Sequence, residues 1–156
     1  MSDIILKPIG FVKREAIGNE VRNKDNVSNI ILNSDLEKGL DGLESFSHLF
    51  ILYWLHKIQE KTNSSLKTNP RGRKDMPLLG IFATRTPNRP NPIGLTLVEL
   101  LKMDEHILTV RGLDAFDGTP VLDIKPYDKW DVPKNVRMPE WWWILEQERR
   151  ELRTNK

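Results

Sequence analysis

Two stretches of the chain gather side chains that can grip an anion, take up a proton or orient a polar ligand. The first is GIFATRTPNRPNPIGLT, Gly80 to Thr96. An apolar segment runs into Thr84 and Arg85, after which Pro87, Pro90 and Pro92 fix three φ angles and remove three N–H donors. Such a loop presents Asn88, Arg89 and Asn91 from a stiff frame. Arg85 and Arg89 carry planar forks suited to a carboxylate or a phosphate, and the asparagines both donate and accept. The plainer reading of the same residues is a proline-rich connection whose arginines make surface ion pairs. The second stretch is RGLDAFDGTPVLDIKPY, Arg111 to Tyr127, which places Asp114, Asp117, Asp123, Lys125 and Tyr127 near strand ends, where they can line a cleft. Asp117 with Gly118 makes a turn, and Asp123 and Lys125 have the spacing to pair on one face of a strand.

Several chemistries are excluded by what the chain lacks. With no cysteine there is no disulfide, thiolate metal site, iron–sulfur cluster or cysteine nucleophile, and the composition suits a reducing cytoplasm. The only histidines are His48, His56 and His106. On one strand His48 and His56 would share a face about 26 Å apart, at roughly 3.3 Å per residue, so no metal site is expected. No G-x-G-x-x-G, G-x-x-x-x-G-K-[ST], G-x-S-x-G or H-E-x-x-H occurs, which argues against Rossmann, P-loop, serine-hydrolase and zincin chemistry.

These residues must be held by something, and the chain between them reads as β structure. At 156 residues, 38% hydrophobic and 29% charged, it has the composition of one soluble globular unit. The longest apolar run, Leu49 to Leu55, is too short to cross a membrane, and the first residues do not form a secretory signal. Net charge is only +2, but residues 70–96 carry +4 of it, leaving −2 elsewhere. Strands are expected over Ile4 to Val12, Val27 to Leu32, His48 to His56, Leu78 to Ala83, Leu95 to Met103, Ile107 to Leu113 and Val121 to Lys125. About seven antiparallel strands make a barrel or a sandwich. Asp104 to His106 and Asp117–Gly118 supply turns, Leu36 to Leu43 one or two helical turns, and 57–74 a polar, mobile loop. After Pro133 the pattern changes. Pro139 and Glu140 open a helix, Trp141, Ile144, Leu145, Glu148 and Leu152 recur at helical spacing, and Arg149, Arg150 and Arg153 gather near its end. The expected organisation is a β unit over 1–137 with an amphipathic C-terminal helix, 138–156, as part of the same unit.

Together with PIGFV at Pro8 to Val12 and GLESFSHLFILYWLH at Gly42 to His56, the two stretches resemble one family closely. It is the S-adenosylmethionine-dependent tRNA methyltransferase family, the YaeB- or TsaA-like proteins, which N6-methylate threonylcarbamoyl-adenosine beside the anticodon. The resemblance spans about Ile4 to Tyr127. It implies a small, mainly antiparallel β-barrel without a Rossmann motif, a homodimer, S-adenosyl-L-methionine as cofactor and the tRNA anticodon loop as partner, in the cytoplasm. Carried over by position, the cofactor site falls on His56, Lys57, Ile58, Arg85, Leu95, Arg111, Gly112, Leu113 and Asp114. Such a cofactor asks for a cationic fork or amides at its carboxylate. A carboxylate such as Asp114 suits its ribose hydroxyls, and an apolar wall such as Leu95 or Leu113 its adenine. REAIGNEVRNKD stands where members often carry a Pro-Arg-Gln-like loop, and longer members have an extra C-terminal domain, so RNA contacts are expected from the barrel, the helix or a partner.

Methyl transfer needs nucleophile, carbon and sulfur in line, and an acceptor for the N6 proton. Asp114, Tyr127 and Asn91 are the candidate acceptors, and Arg89, Asn91, Lys125 and Tyr127 are expected to form the side of the site that faces the RNA. Basic residues of 70–96 could follow phosphates, while Trp141 to Trp143 pack inward or stack on bases. Two other readings stand beside this one: the same pocket serving a different acceptor, and a non-catalytic barrel that binds RNA or the cofactor.

Overall fold

Alternation of inward and outward side chains builds the larger part of the structure, a computed structural model that describes residues 3–15, 18–58 and 65–154. In β2 (Val27–Leu32) Ser28, Ile30 and Leu32 are buried, and in β3 (His48–Trp54) Leu49, Ile51 and Tyr53 are. The long β6 (Ile93–Asp104) turns Gly94, Thr96 and Val98 inward, and β7 (Ile107–Arg111) turns in Leu108 and Val110. With β1 (Gly10–Lys13) and β8 (Pro120–Pro126), these strands close a barrel in the order β1-β2-β7-β6-β3-β8, every neighbour antiparallel and β8 returning to β1. Closure leaves no open edge for another strand to add to. Ile30, Leu49, Ile51, Val98, Leu108, Val110 and Val121 are each at most 1% exposed, and burying one such side chain contributes about 1.5–3 kcal/mol.

Turns behave as their residues require. Glu105 takes a φ of 50° in the β6–β7 hairpin, and Gly118 takes 75° in the turn that closes when the Thr119 N–H donates to the Phe116 carbonyl at 3.1 Å. Leu36 to Leu43 forms two 3-10 turns, Ser34–Leu40 and Leu43–Ser45, separated at Gly42, whose φ of 87° suits only a residue without Cβ.

The barrel has six strands. The segment Leu78 to Ala83, expected as a further strand, pairs only at β5 (Leu79–Gly80), in a two-stranded ribbon with β4 (Lys67–Thr68), and then turns as a 3-10 element, Ile81–Ala83. A short apolar run does not reveal by itself whether it is buried: here Ile81 is, while Leu78 and Phe82 are 61% and 75% exposed. The first strand begins at Gly10 rather than Ile4, because Pro8 has no N–H for a ladder, and Ile4 and Ile5 are more than 80% exposed. The third strand ends at Trp54, so His56 lies in the turn that follows.

The chain divides into two compact units: Met1–Lys61 with Pro90–Asp128, which is the barrel, and Thr62–Arg89 with Lys129–Lys156. The second unit thus joins an insertion between β3 and β6 to the C-terminal segment. That second unit holds the ribbon and α1 (Glu140–Thr154), whose Leu145 is buried, as are Met76 and Ile81. Pro139 immediately precedes the helix, and its carbonyl accepts from the Trp142 N–H at 3.0 Å. Arg73 pairs with both Asp75 and Glu148, tying the 70–76 turn to α1. Of the polar stretch read as a loop over 57–74, residues 59–64 lie outside the described residues, as does the side chain of Arg153; residues 65–74 contain β4 and a 3-10 turn, Pro70–Gly72.

Candidate functional site at one end of the barrel

The end of β3 and the segment entering β8 run side by side, and their polar groups converge. Tyr53 is the last inward residue of β3. Its ring lies over Gly94, where a Cβ would come within 2.3 Å of it, and its hydroxyl donates to Asp114 Oδ1 at 2.9 Å and meets Thr96 Oγ1 at 3.1 Å. Thr96 also donates to the same carboxylate oxygen. One oxygen of Asp114 is thus held by two hydroxyls inside the barrel mouth, while Asp114 itself remains exposed.

Beyond Tyr53 the chain turns, with the His56 N–H on the Trp54 carbonyl at 2.8 Å and the Ile58 N–H on the Leu55 carbonyl at 3.1 Å. His56 Nδ1 meets Thr119 Oγ1 at 3.3 Å, and the Lys57 ammonium lies 4.5 Å from the centre of the Phe116 ring, a cation–π arrangement. Burial, and then the charge of Lys57, hold His56 below the usual histidine range, which keeps it neutral at pH 7. From the other side Arg14 donates its backbone N–H to Asp117 Oδ1 at 2.9 Å and Nη1 to the carbonyls of Leu113 and Ala115 at 2.8 and 2.9 Å. That backbone bond, followed by Lys13 and Lys57, holds the Asp117 carboxyl below its ordinary value.

Of the residues expected to bind a cofactor, His56, Lys57, Ile58 and Asp114 therefore come together. In the same run Leu113 is wholly buried in the core, and Gly112, at a φ of 90°, bonds Asn26 through its N–H and Lys24 through its carbonyl. Arg111 turns outward and pairs with Glu99 at 2.8 Å, which engages the fork expected to meet a carboxylate. Leu95 lies on the outer face of β6, 48% exposed, on the opposite side from Gly94 and Thr96. Arg85 belongs to the second unit, where it is exposed and unpaired among the described residues.

Of the four residues expected to face the RNA, the three in the barrel, Asn91, Lys125 and Tyr127, are not gathered. Asn91 stands at the entrance of β6, beside the Leu55 N–H bond to the Pro92 carbonyl, and so at the His56 end. Lys125 is opposite Phe50, and Tyr127 packs edge-on against His48 and Phe50, placing both toward the start of β3, about 20 Å from His56 at roughly 3.3 Å per residue. Lys125 pairs with Asp123 at 2.7 Å, as their spacing suggested. Arg89, in the second unit, spends Nη1 on the carbonyls of Thr84 and Thr86 and stacks over Phe82, so it braces its own loop.

Tyr53, Thr96 and Arg14 were not anticipated. Tyr53 was legible as the one residue with a hydroxyl at an inward position of FILYWLH, and Thr96 as the polar residue in register with Gly94. Nothing in the local sequence marks Arg14.

The sequence profile of the tRNA-methyltransferase O N-terminal domain matches residues 11–131. A probable S-adenosyl-L-methionine-binding protein of Methanothermobacter thermautotrophicus is 46% identical over 134 residues, which cover 81% of this chain and 93% of that protein. The human tRNA (adenine(37)-N6)-methyltransferase is 45% identical over 106 residues, 66% of this chain and 23% of that protein. Among solved structures, TrmO from Pseudomonas aeruginosa superposes with a TM-score of 0.71 at 27% identity, covering 90% of this chain and 62% of that one. The chain thus spans less than two thirds of the solved TrmO and about a quarter of the human enzyme. Matched across the barrel strands and across both segments that build the polar end, the chain belongs to the family of the tRNA-methyltransferase O N-terminal domain.

Proposed function

We propose that this protein is an S-adenosylmethionine-dependent tRNA methyltransferase that acts on the N6 nitrogen of the adenosine next to the anticodon, in its threonylcarbamoyl form. The observation that carries this reading is the convergence of 53–57 with 113–119 at one end of a barrel that belongs to this family. Its nearly full-length archaeal relative is named for binding this cofactor, and the mammalian relatives for the methylation.

The donor set fits such a ligand. Asp114 keeps an oxygen for ribose hydroxyls, neutral His56 adds no positive charge against a sulfonium, and the Lys57 ammonium beside the Phe116 ring offers a cation to the donor's carboxylate. When bound, S-adenosylmethionine supplies an activated methyl group: the N6–carbon bond forms as the carbon–sulfur bond breaks, and the N6 proton passes to an acceptor. In this reading Asp114 orients the donor, Tyr53 and Thr96 hold Asp114, and Asn91, at the entrance of β6, orients the acceptor nitrogen. Most of the acceleration comes from that alignment.

Two features support a homodimer. Ile93, Leu95 and Leu97 leave an apolar stripe 37–48% exposed along the outside of β6, ending at the Glu99–Arg111 pair, and a closed barrel offers a partner its faces rather than its edges. Incubation with methyl-labelled cofactor and bulk tRNA, followed by nucleoside analysis, tests the function: label in N6-methylated threonylcarbamoyl-adenosine supports it. Saturable cofactor binding with no transfer to tRNA would replace it with the binding-protein reading that the archaeal names favour.

A further inference from the structure

Arg14 is the one charged side chain that is buried among the described residues, 6% exposed at the residue after β1. Its Nη1 bonds the carbonyls of Leu113 and Ala115, which flank Asp114, and its backbone N–H bonds the Asp117 carboxylate, so one residue fixes 113–117 at three points. Its other edge, Nε and Nη2, has no partner, and neither has the buried Ser28 Oγ. A buried cation with two open donors carries a desolvation cost that its bonds to two carbonyls only partly offset. What Arg14 uniquely achieves is to aim the backbone that carries Asp114 while Tyr53 and Thr96 hold one oxygen of its carboxylate.

We propose that Arg14 is a positioning residue that acts through Asp114, setting the carboxylate to receive the vicinal ribose hydroxyls of the methyl donor. This rests on the donor-binding reading above. Arg14 touches no ligand itself; its Nη1 alone donates to both carbonyls, and the rest of the guanidinium is held in the buried space behind them.

The test is a mutant cycle. S-adenosylhomocysteine and its 2′-deoxy analogue are titrated calorimetrically into the wild type, Arg14→Met, Asp114→Asn and the double variant, with thermal unfolding in parallel. The expected result is that each single change weakens S-adenosylhomocysteine about tenfold, the scale of one hydrogen bond to a charged group, and that the double variant is no weaker than Asp114→Asn alone. The preference for the ribose over the deoxyribose ligand, present in the wild type, is lost in Arg14→Met. Should Arg14→Met not fold, Arg14→Gln, too short to reach both carbonyls, replaces it and must show the same loss of preference. Unchanged affinity, additive losses, or equal weakening of both ligands would overturn the proposal, since a purely structural role predicts these. A wild type that binds neither ligand would instead overturn the donor-binding reading, and this role with it.

Discussion

At the scale of single residues, the site is governed by which polar groups are already engaged. Asp114 gives one oxygen to Tyr53 and Thr96, so only the other is available, whereas Arg111 and Lys125 are taken by Glu99 and Asp123. Spacing in the sequence foresaw the Asp123–Lys125 pair but not the Glu99–Arg111 pair, because the latter is set by the register of β6 on β7. His56 gives a pH prediction. Its pKa is held below 6.5, so the folded protein binds fewer protons there than the unfolded chain, and the stability this adds is present above 6.5 and lost as pH falls through the lowered value. Over the same window a charged His56 beside Lys57 opposes a sulfonium. Affinity for S-adenosylmethionine should therefore fall as pH drops below 6.5, more than affinity for the uncharged thioether S-adenosylhomocysteine, and His56→Gln should abolish the difference. Equal pH dependence of the two ligands would refute this. Asn91→Ala should lower turnover about tenfold or more with cofactor affinity nearly unchanged, measured by single-turnover assay and calorimetry; loss of affinity in step with turnover would move Asn91 to the donor side.

Elements carry the next layer. Strands with strict alternation were readable to within a residue or two, as at Val27 to Leu32, and so were turns fixed by Gly118 and by Asp104 to His106. The failures share a cause. Leu78 to Ala83 is apolar enough to suggest a core strand, but that depends on partners local sequence does not name; only Lys67–Thr68 pairs with it, and Leu78 and Phe82 stay exposed. Tyr127 and His56 were both taken as site residues, yet they stand at opposite ends of the same β3–β8 pairing, and only register reveals that. Gly94 links an element to the site. Its absent side chain makes room for the Tyr53 ring, so Gly94→Ala must push the ring away from Thr96 and Asp114. Overpacking of this kind costs about 1–3 kcal/mol. Thermal unfolding should show a lowered midpoint and calorimetry a weakened cofactor; a variant with wild-type values of both would mean that the network does not depend on this close approach.

For the whole molecule, the family and the barrel were legible because TPNRPNP and DGTPVLDIKPY are long and unusual. The insertion between β3 and β6 groups with the C-terminal segment, a long-range pairing with no local signal. Among the described residues no helix is long and apolar enough to cross a membrane. The outer apolar stripe of β6 bears on assembly. Leu97→Glu places a second carboxylate within it, beside Glu99, without touching the inward network, and sedimentation should show a dimer for the wild type and a monomer for the variant. A monomeric wild type would remove the dimer from the account. The central claim, that the His56 end of the barrel holds the methyl donor, is tested most directly by nuclear magnetic resonance. Titration of S-adenosylhomocysteine into isotope-labelled protein is predicted to shift backbone amides of 56–58 and 112–119 and to leave those of 48–50 and 125–127 in place; shifts centred on the latter, or none at all, would contradict it.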